Sequence, residues 1–173
     1  MKKYEKVVHA LLLFGFLFYI GFVLWIVLFK VVSPLELFSS HRFYYRALNL
    51  IPFRGVFYGS INKLDLFGNI ILFIPLGIYL NLSDKPPKLL NNILTIILMS
   101  LVLETTQYIF SIGGTDVTDV ICNSIGGFVG LGLFALLRRL LKDPLRIKTV
   151  ITGCSTLMIF FLCFLLTALY IYN

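Results

Sequence analysis

Apolar residues in this chain come in long unbroken stretches and do not alternate with polar ones. The stretches cover residues 10–29, 66–82, 89–110, 117–137 and 149–172. A helix needs roughly 20 apolar residues to cross the hydrocarbon core, whereas a barrel strand is about ten residues long and alternates in polarity. The pattern therefore predicts an all-α, polytopic membrane protein with about five transmembrane helices. The second stretch is the shortest and carries Pro75, which removes one backbone donor, frees the Ile71 carbonyl and predicts a kink. In the fourth, Gly126 and Gly130 form a small-xxx-small pair that lets another helix backbone approach closely.

The connection between the first two stretches, residues 33–64, mixes bases with aromatic rings: His41, Arg42, Tyr44, Tyr45, Arg46, Phe53, Arg54 and Phe57 among them. Such a mixture suits a segment lying in the headgroup layer, with rings at the acyl boundary and cations against phosphate. The other connections are short, so the second to fifth spans are expected to form a compact antiparallel bundle. No repeat or linker divides the chain, and residues 1–173 are expected to form a single integral membrane domain.

Composition strengthens this picture. A 173-residue chain that is 59% hydrophobic and 13% charged has no room for a soluble domain beside its spans. The basic start, Lys2-Lys3-Tyr4-Glu5-Lys6, resembles a signal peptide, but the apolar run after it is too long and lacks a small-residue cleavage site. It is expected to remain as the first span. The net charge of +7 need not imply nucleic acid, because topology accounts for it. With the N-terminus in the cytoplasm, Lys2, Lys3, Lys6, Lys85, Lys88, Arg138, Arg139, Lys142, Arg146 and Lys148 all lie inside. Only Lys30, Arg42, Arg46, Arg54 and Lys63 lie outside. The C-terminus is then extracytoplasmic.

Ionisable groups within spans carry the chemistry, since a carboxylate near the bilayer centre costs roughly 2.5 to 3.5 kcal/mol on insertion scales. Glu104 is the deepest. At 100° per residue it shares one face of the third span with Ser100, Gln107 and Ser111. The fourth span is expected to begin with Asp116, Asp119 and Asn123 on one stripe, continued by Gly127 and Gly130. Asp116 and Asp119 also suit a helix N-terminus. The second span starts with Asp65, Gly68 and Asn69.

In the assigned topology these polar groups converge on the outer leaflet. Four carboxylates so placed repel one another and require protonation, a ligand or partner cations, for which Arg42, Arg46, Arg54 and Lys63 are the candidates. A packing network, a site for a polar or cationic headgroup, and an acid or base for catalysis all remain open. No metal or cofactor is expected, because the donors are all oxygen and zinc-like spacing is absent. Cys122, Cys154 and Cys163 fall within spans and are expected to be small packing residues. His9 and His41 are expected at the two membrane surfaces. No Ser-His or Cys-His pairing points to a nucleophile.

The same residues resemble the VanZ-like family of bacterial membrane proteins. The matching pieces are Asn49-Leu50-Ile51-Pro52-Phe53, Asp65-Leu66-Phe67-Gly68-Asn69 running into Phe73-Ile74-Pro75-Leu76-Gly77, Glu104-Thr105-Thr106-Gln107, and residues 116–127 from Asp116 to Gly127. They fall in order within a core spanning residues 49–130. The family pattern often carries Arg where Gly114 stands here, which shifts neutralisation of the acidic cluster to Arg54, Arg46 or a bound cation.

The resemblance implies a role in tolerance to glycopeptide antibiotics, teicoplanin and its lipid-tailed relatives in particular. Candidate ligand-binding residues are Asp65, Asn69, Glu104, Gln107, Asp116, Asp119 and Asn123, with Arg46, Asn49 and Arg54 from the loop. The expected partners are membrane lipids and either the antibiotic or a lipid-linked wall precursor, bound or shielded at the outer leaflet. The alternatives are an enzyme acting on a lipid or wall precursor through Glu104 or Asp119, and a structural or assembly protein. A transporter is disfavoured by the absence of repeats.

Overall fold

The computed structural model describes residues 2–30, 44–57, 63–82 and 89–172. His41, Arg42, Lys85 and Lys88 lie outside these segments. In chain order the elements are α1 (Lys2–Leu28), β1 (Tyr45–Asn49), α2 (Arg54–Phe57), α3 (Lys63–Leu80), α4 (Leu89–Phe110), β2 (Ile112–Asp116), α5 (Val117–Leu141) and α6 (Pro144–Tyr172). Among the described residues, α1, α3, α4, α5 and α6 are long and apolar enough to cross a membrane. The chain is a multi-pass, all-α membrane protein with a two-stranded addition.

Helix ends extend beyond the apolar runs because polar residues carry them. The lysine-rich start is helical from Lys2, so α1 begins eight residues before the apolar run at Ala10. Helix α5 continues through Arg138 and Arg139, cations that suit the negative end of its dipole. It stops at Lys142, which has a φ of 55°. Asp143 then caps α6: its Oδ1 accepts from the Leu145 amide at 3.0 Å, and Pro144 fills the first helical position, where its missing donor does no harm.

The chain divides into two compact units, 22–134 and the combination of 1–21 with 135–173. In the latter, Val8, Leu12, Ile147 and Ile151 are buried. The Tyr4 hydroxyl lies 3.1 Å from Thr149 Oγ1, and Lys148 Nζ lies 3.4 Å from His9 Nε2. In this unit α6 groups with the start of α1 and the end of α5. Cys154 and Cys163 on α6 are exposed and free, not packed as expected, while Cys122 is buried.

Unit 22–134 is built on backbone contact between α3 and α5. A Cβ on Gly126 would collide with the Ile70 carbonyl oxygen, one on Gly130 with that of Ile74, and one on Gly77 with that of Gly127. Gly127 in turn leaves room for the Ile96 side chain of α4. Phe73, Leu76, Ile96 and Leu103 fill the resulting core. Helix α3 runs through Pro75 without a break, and Ile71, whose carbonyl loses its donor, is exposed.

Strands β1 and β2 pair in parallel, from Tyr45 with Ile112 to Asn49 with Asp116. A parallel pair needs a crossover connection. Here α3 and α4 supply it, and two crossings return the chain to the side of the membrane it left. Hydropathy gives no sign of these strands, because Ile112-Gly113-Gly114-Thr115-Asp116 has neither alternation nor strong strand propensity. The pairing is held by side chains around it.

Candidate functional site

The C-terminus of α4 and the start of α5 form the frame. Helix α4 ends at Phe110, and Ser111 turns the chain with a φ of 53°. Arg46 of β1 covers the open carbonyls: Nε donates to Tyr108 O at 3.1 Å and Nη2 to Ile109 O at 3.4 Å, with the guanidinium 4.7 Å above the Tyr108 ring. Arg46 is therefore engaged by a helix end and an aromatic face, not by the acidic cluster.

Asp116 is the last residue of β2 and caps α5, the helix-N-terminus role that its place in the sequence suits. Its Oδ1 accepts from the Thr118 amide at 2.7 Å, and its Oδ2 from Asn49 Nδ2 at 2.9 Å. Thr118 Oγ1 accepts from the Phe53 amide at 3.0 Å. The Asp116 amide donates to Glu104 Oε2 at 3.0 Å, and Thr115 Oγ1 to the Glu104 carbonyl at 2.9 Å. One end of the Glu104 carboxylate thus holds the β2 turn in place.

Below this frame the end of α1, α3, α4 and α5 enclose a cavity of about 250 Å³. Asp65, Asn69, Glu104, Gln107, Asp119 and Asn123 line it, with Lys30 and a wall that includes Ile26, Val27 and Leu72. Six of the ten sequence-derived candidates meet here. Asp116, Asn49 and Arg46 belong to the frame, while Arg54 is exposed and does not line the cavity.

The shared face of Ser100, Glu104 and Gln107 is buried as the helical period requires. Gln107 Nε2 donates to Val27 O at 2.7 Å, and Asn123 Nδ2 donates to Ser100 Oγ at 2.9 Å. Asn69 hydrogen-bonds Asp119. The opposite ends of the two buried amides, Gln107 Oε1 and Asn123 Oδ1, have no partner among the described residues.

Lys30 is the cation that sequence reasoning missed. Its Nζ lies 3.1 Å from Asp65 Oδ1, and it lines the same cavity as Glu104 and Asp119. Of the loop cations, Arg46 is committed to the end of α4, Arg54 and Lys63 are exposed and do not line the cavity, and Arg42 lies outside the described residues. The available signal was position, since Lys30 directly follows the apolar run at the end where Asp65 begins the next. The Lys30–Asp65 side chains are 40% and 42% exposed. Such a half-exposed pair contributes about 0 to 1 kcal/mol, so Lys30 can leave Asp65 at little cost.

Among the described lining residues three carboxyl groups thus face one ammonium, and the two buried side-chain atoms without a partner, Gln107 Oε1 and Asn123 Oδ1, are both acceptors. Among the described residues no group of three or more His, Cys, Asp and Glu is gathered to hold a metal ion.

Residues 16–138 match the VanZ/LLP1 family model. The chain is also 40% identical over 119 residues to Protein VanZ of Enterococcus faecium, a match covering 68% of this chain and 70% of that protein. No solved structure gives a significant match. Asp65, Glu104, Asp119 and the frame around them all fall within the matched stretch, and the chain belongs to the VanZ/LLP1 family.

Proposed function

We propose that this VanZ-like protein lowers susceptibility to glycopeptide antibiotics of the teicoplanin type by holding a ligand in the cavity between α1, α3, α4 and α5. In this reading the N-terminus is cytoplasmic and the C-terminus extracytoplasmic, so the cavity opens to the outer leaflet. There it reaches either the antibiotic or the lipid-linked wall precursor that the antibiotic targets.

The observation that carries the reading is a pair of acceptors with no partner among the described residues, Gln107 Oε1 and Asn123 Oδ1, on two side chains that line a cavity. A network that served packing alone would satisfy its buried polar atoms, as more than 90% of such groups are satisfied in folded proteins. Among the described residues the two buried side-chain atoms left without a partner both belong to residues that line the cavity.

Separate Glu104→Gln and Asp119→Asn variants test it in a susceptible bacterium, with membrane abundance and the teicoplanin inhibitory concentration measured together. The expected result is normal abundance with tolerance lost. Unchanged tolerance at normal abundance would overturn the reading, as would a loss of tolerance that merely tracks loss of protein.

A further inference from the structure

We propose that the cavity is a receptor for a primary ammonium group carried by an amphiphile. The inference deepens the binding role proposed above and rests on it.

The selection follows from which atoms are spent. Each buried amide commits one of its two N–H donors inside the fold, Gln107 Nε2 to Val27 O and Asn123 Nδ2 to Ser100 Oγ. The atoms left without any partner among the described residues are their carbonyl oxygens. Asp65, Glu104 and Asp119 add carboxyl groups to the same wall, and Lys30 is its sole cation among the lining residues. A ligand that satisfies such a wall must bring N–H donors and positive charge. Phosphate and carboxylate groups bring the opposite, so the anionic part of a wall precursor or lipid stays outside.

Size sets a second limit. Sites for drug-sized molecules run from about 300 to 1,000 Å³, and this cavity holds about 250 Å³. It accommodates a headgroup-sized amine and not a whole glycopeptide. Its apolar wall, Ile26, Val27 and Leu72, suits the first carbons behind the nitrogen.

Lys30 shows the chemistry in cis. Its ammonium sits on Asp65 at the half-exposed mouth, while Gln107 and Asn123 lie deeper, 4% and 1% exposed. An incoming ammonium competes with Lys30 for the mouth and then reaches acceptors that Lys30 leaves unsatisfied. Lys30 is in this sense a resident competitor.

The test uses the full chain in phosphatidylcholine nanodiscs, titrated calorimetrically with dodecylammonium, dodecyltrimethylammonium, dodecanol and dodecyl phosphate. Dodecylammonium is expected to bind saturably and at least about tenfold tighter than the other three, the factor that one charge-assisted hydrogen bond brings. Lys30→Met should tighten dodecylammonium binding several-fold, a gain that a damaged fold cannot produce. Equal binding of the two cations, or preference for the phosphate, would overturn the proposal on the unaltered chain alone. Weaker binding by a folded Lys30→Met variant would do the same.

Repeating the titration in phosphatidylethanolamine nanodiscs assigns the source. Competition identifies a lipid headgroup amine, and its absence an amine on an arriving amphiphile; the ammonium site stands in either case. Selective amine binding combined with unchanged antibiotic tolerance in the Asp119→Asn strain would retire the resistance role and keep the site. Saturable binding of another ligand class would retire the ammonium and keep the role.

Discussion

Gln107 reaches across the fold to donate to the backbone carbonyl of Val27, 80 residues away, at 2.7 Å. That bond fixes the end of α1 against α4 and leaves the amide oxygen without a partner among the described residues. Gln107→Leu removes the donor and leaves the Val27 carbonyl without this partner. A loss of about 1 to 3 kcal/mol is expected, read as a lower thermal unfolding midpoint in detergent.

The α3–α5 contact makes a sharp positional prediction. Gly126→Val and Gly130→Val place carbon where the Ile70 and Ile74 carbonyls already sit, so both variants should fail to accumulate in the membrane. Gly132, on the same helix, has nothing within 4 Å of an added Cβ. Gly132→Ala should accumulate normally and gain up to about 1 kcal/mol from helix propensity. Immunoblots of membrane fractions separate the two outcomes.

Asp116 acts through two oxygens, and substitutions can divide them. Asp116→Ala loses both the cap on Thr118 and the bond from Asn49, whereas Asn49→Ala keeps the cap and loses the second bond together with the exposed 3.3 Å bond that Asn49 Oδ1 accepts from the Ile51 amide. The cap is worth about 0.5 to 2 kcal/mol. Asp116→Ala should therefore lower the unfolding midpoint more than Asn49→Ala. The double variant should fall short of the sum, because the shared bond is counted twice.

Arg46 supplies a control for the cavity. Arg46→Lys keeps the charge but loses the fork on the Tyr108 and Ile109 carbonyls and most of the stacking on the Tyr108 ring. At this exposed position the expected loss is about 0.5 to 1 kcal/mol of stability. Ligand selectivity measured in nanodiscs should be unchanged, since the acidic wall does not use Arg46.

The spans, the buried face of Ser100, Glu104 and Gln107, and the glycine stripe of α5 were legible in the sequence. Each follows from hydropathy or from a helical period that burial respects. The frame was not. Asp116 looks like the first residue of a polar helix stripe, and only the pairing of Asn49 with it shows that it ends a strand. In the sequence the loop cations Arg42, Arg46, Arg54 and Lys63 are the numerous candidates for neutralising the carboxylates. Arg46 is drawn instead to carbonyls at a helix end, and Lys30 takes the carboxylate because the end of α1 delivers it there. Non-local geometry decided both, and local pattern carries no trace of it.

The parallel register of β1 and β2 also sets a schedule for biosynthesis. Asn49 leaves the ribosome well before Asp116, and both α3 and α4 are made in between. The first strand must wait unpaired at the membrane surface while a helical hairpin inserts and brings its mate back. Glu104, whose carboxylate accepts from the Asp116 amide, acquires that bond only then. Nascent chains stopped before β2 would hold the carboxyl groups of Asp65 and Glu104 in the bilayer without the second strand above them. The cell would meet them as insertion intermediates open to quality-control proteases.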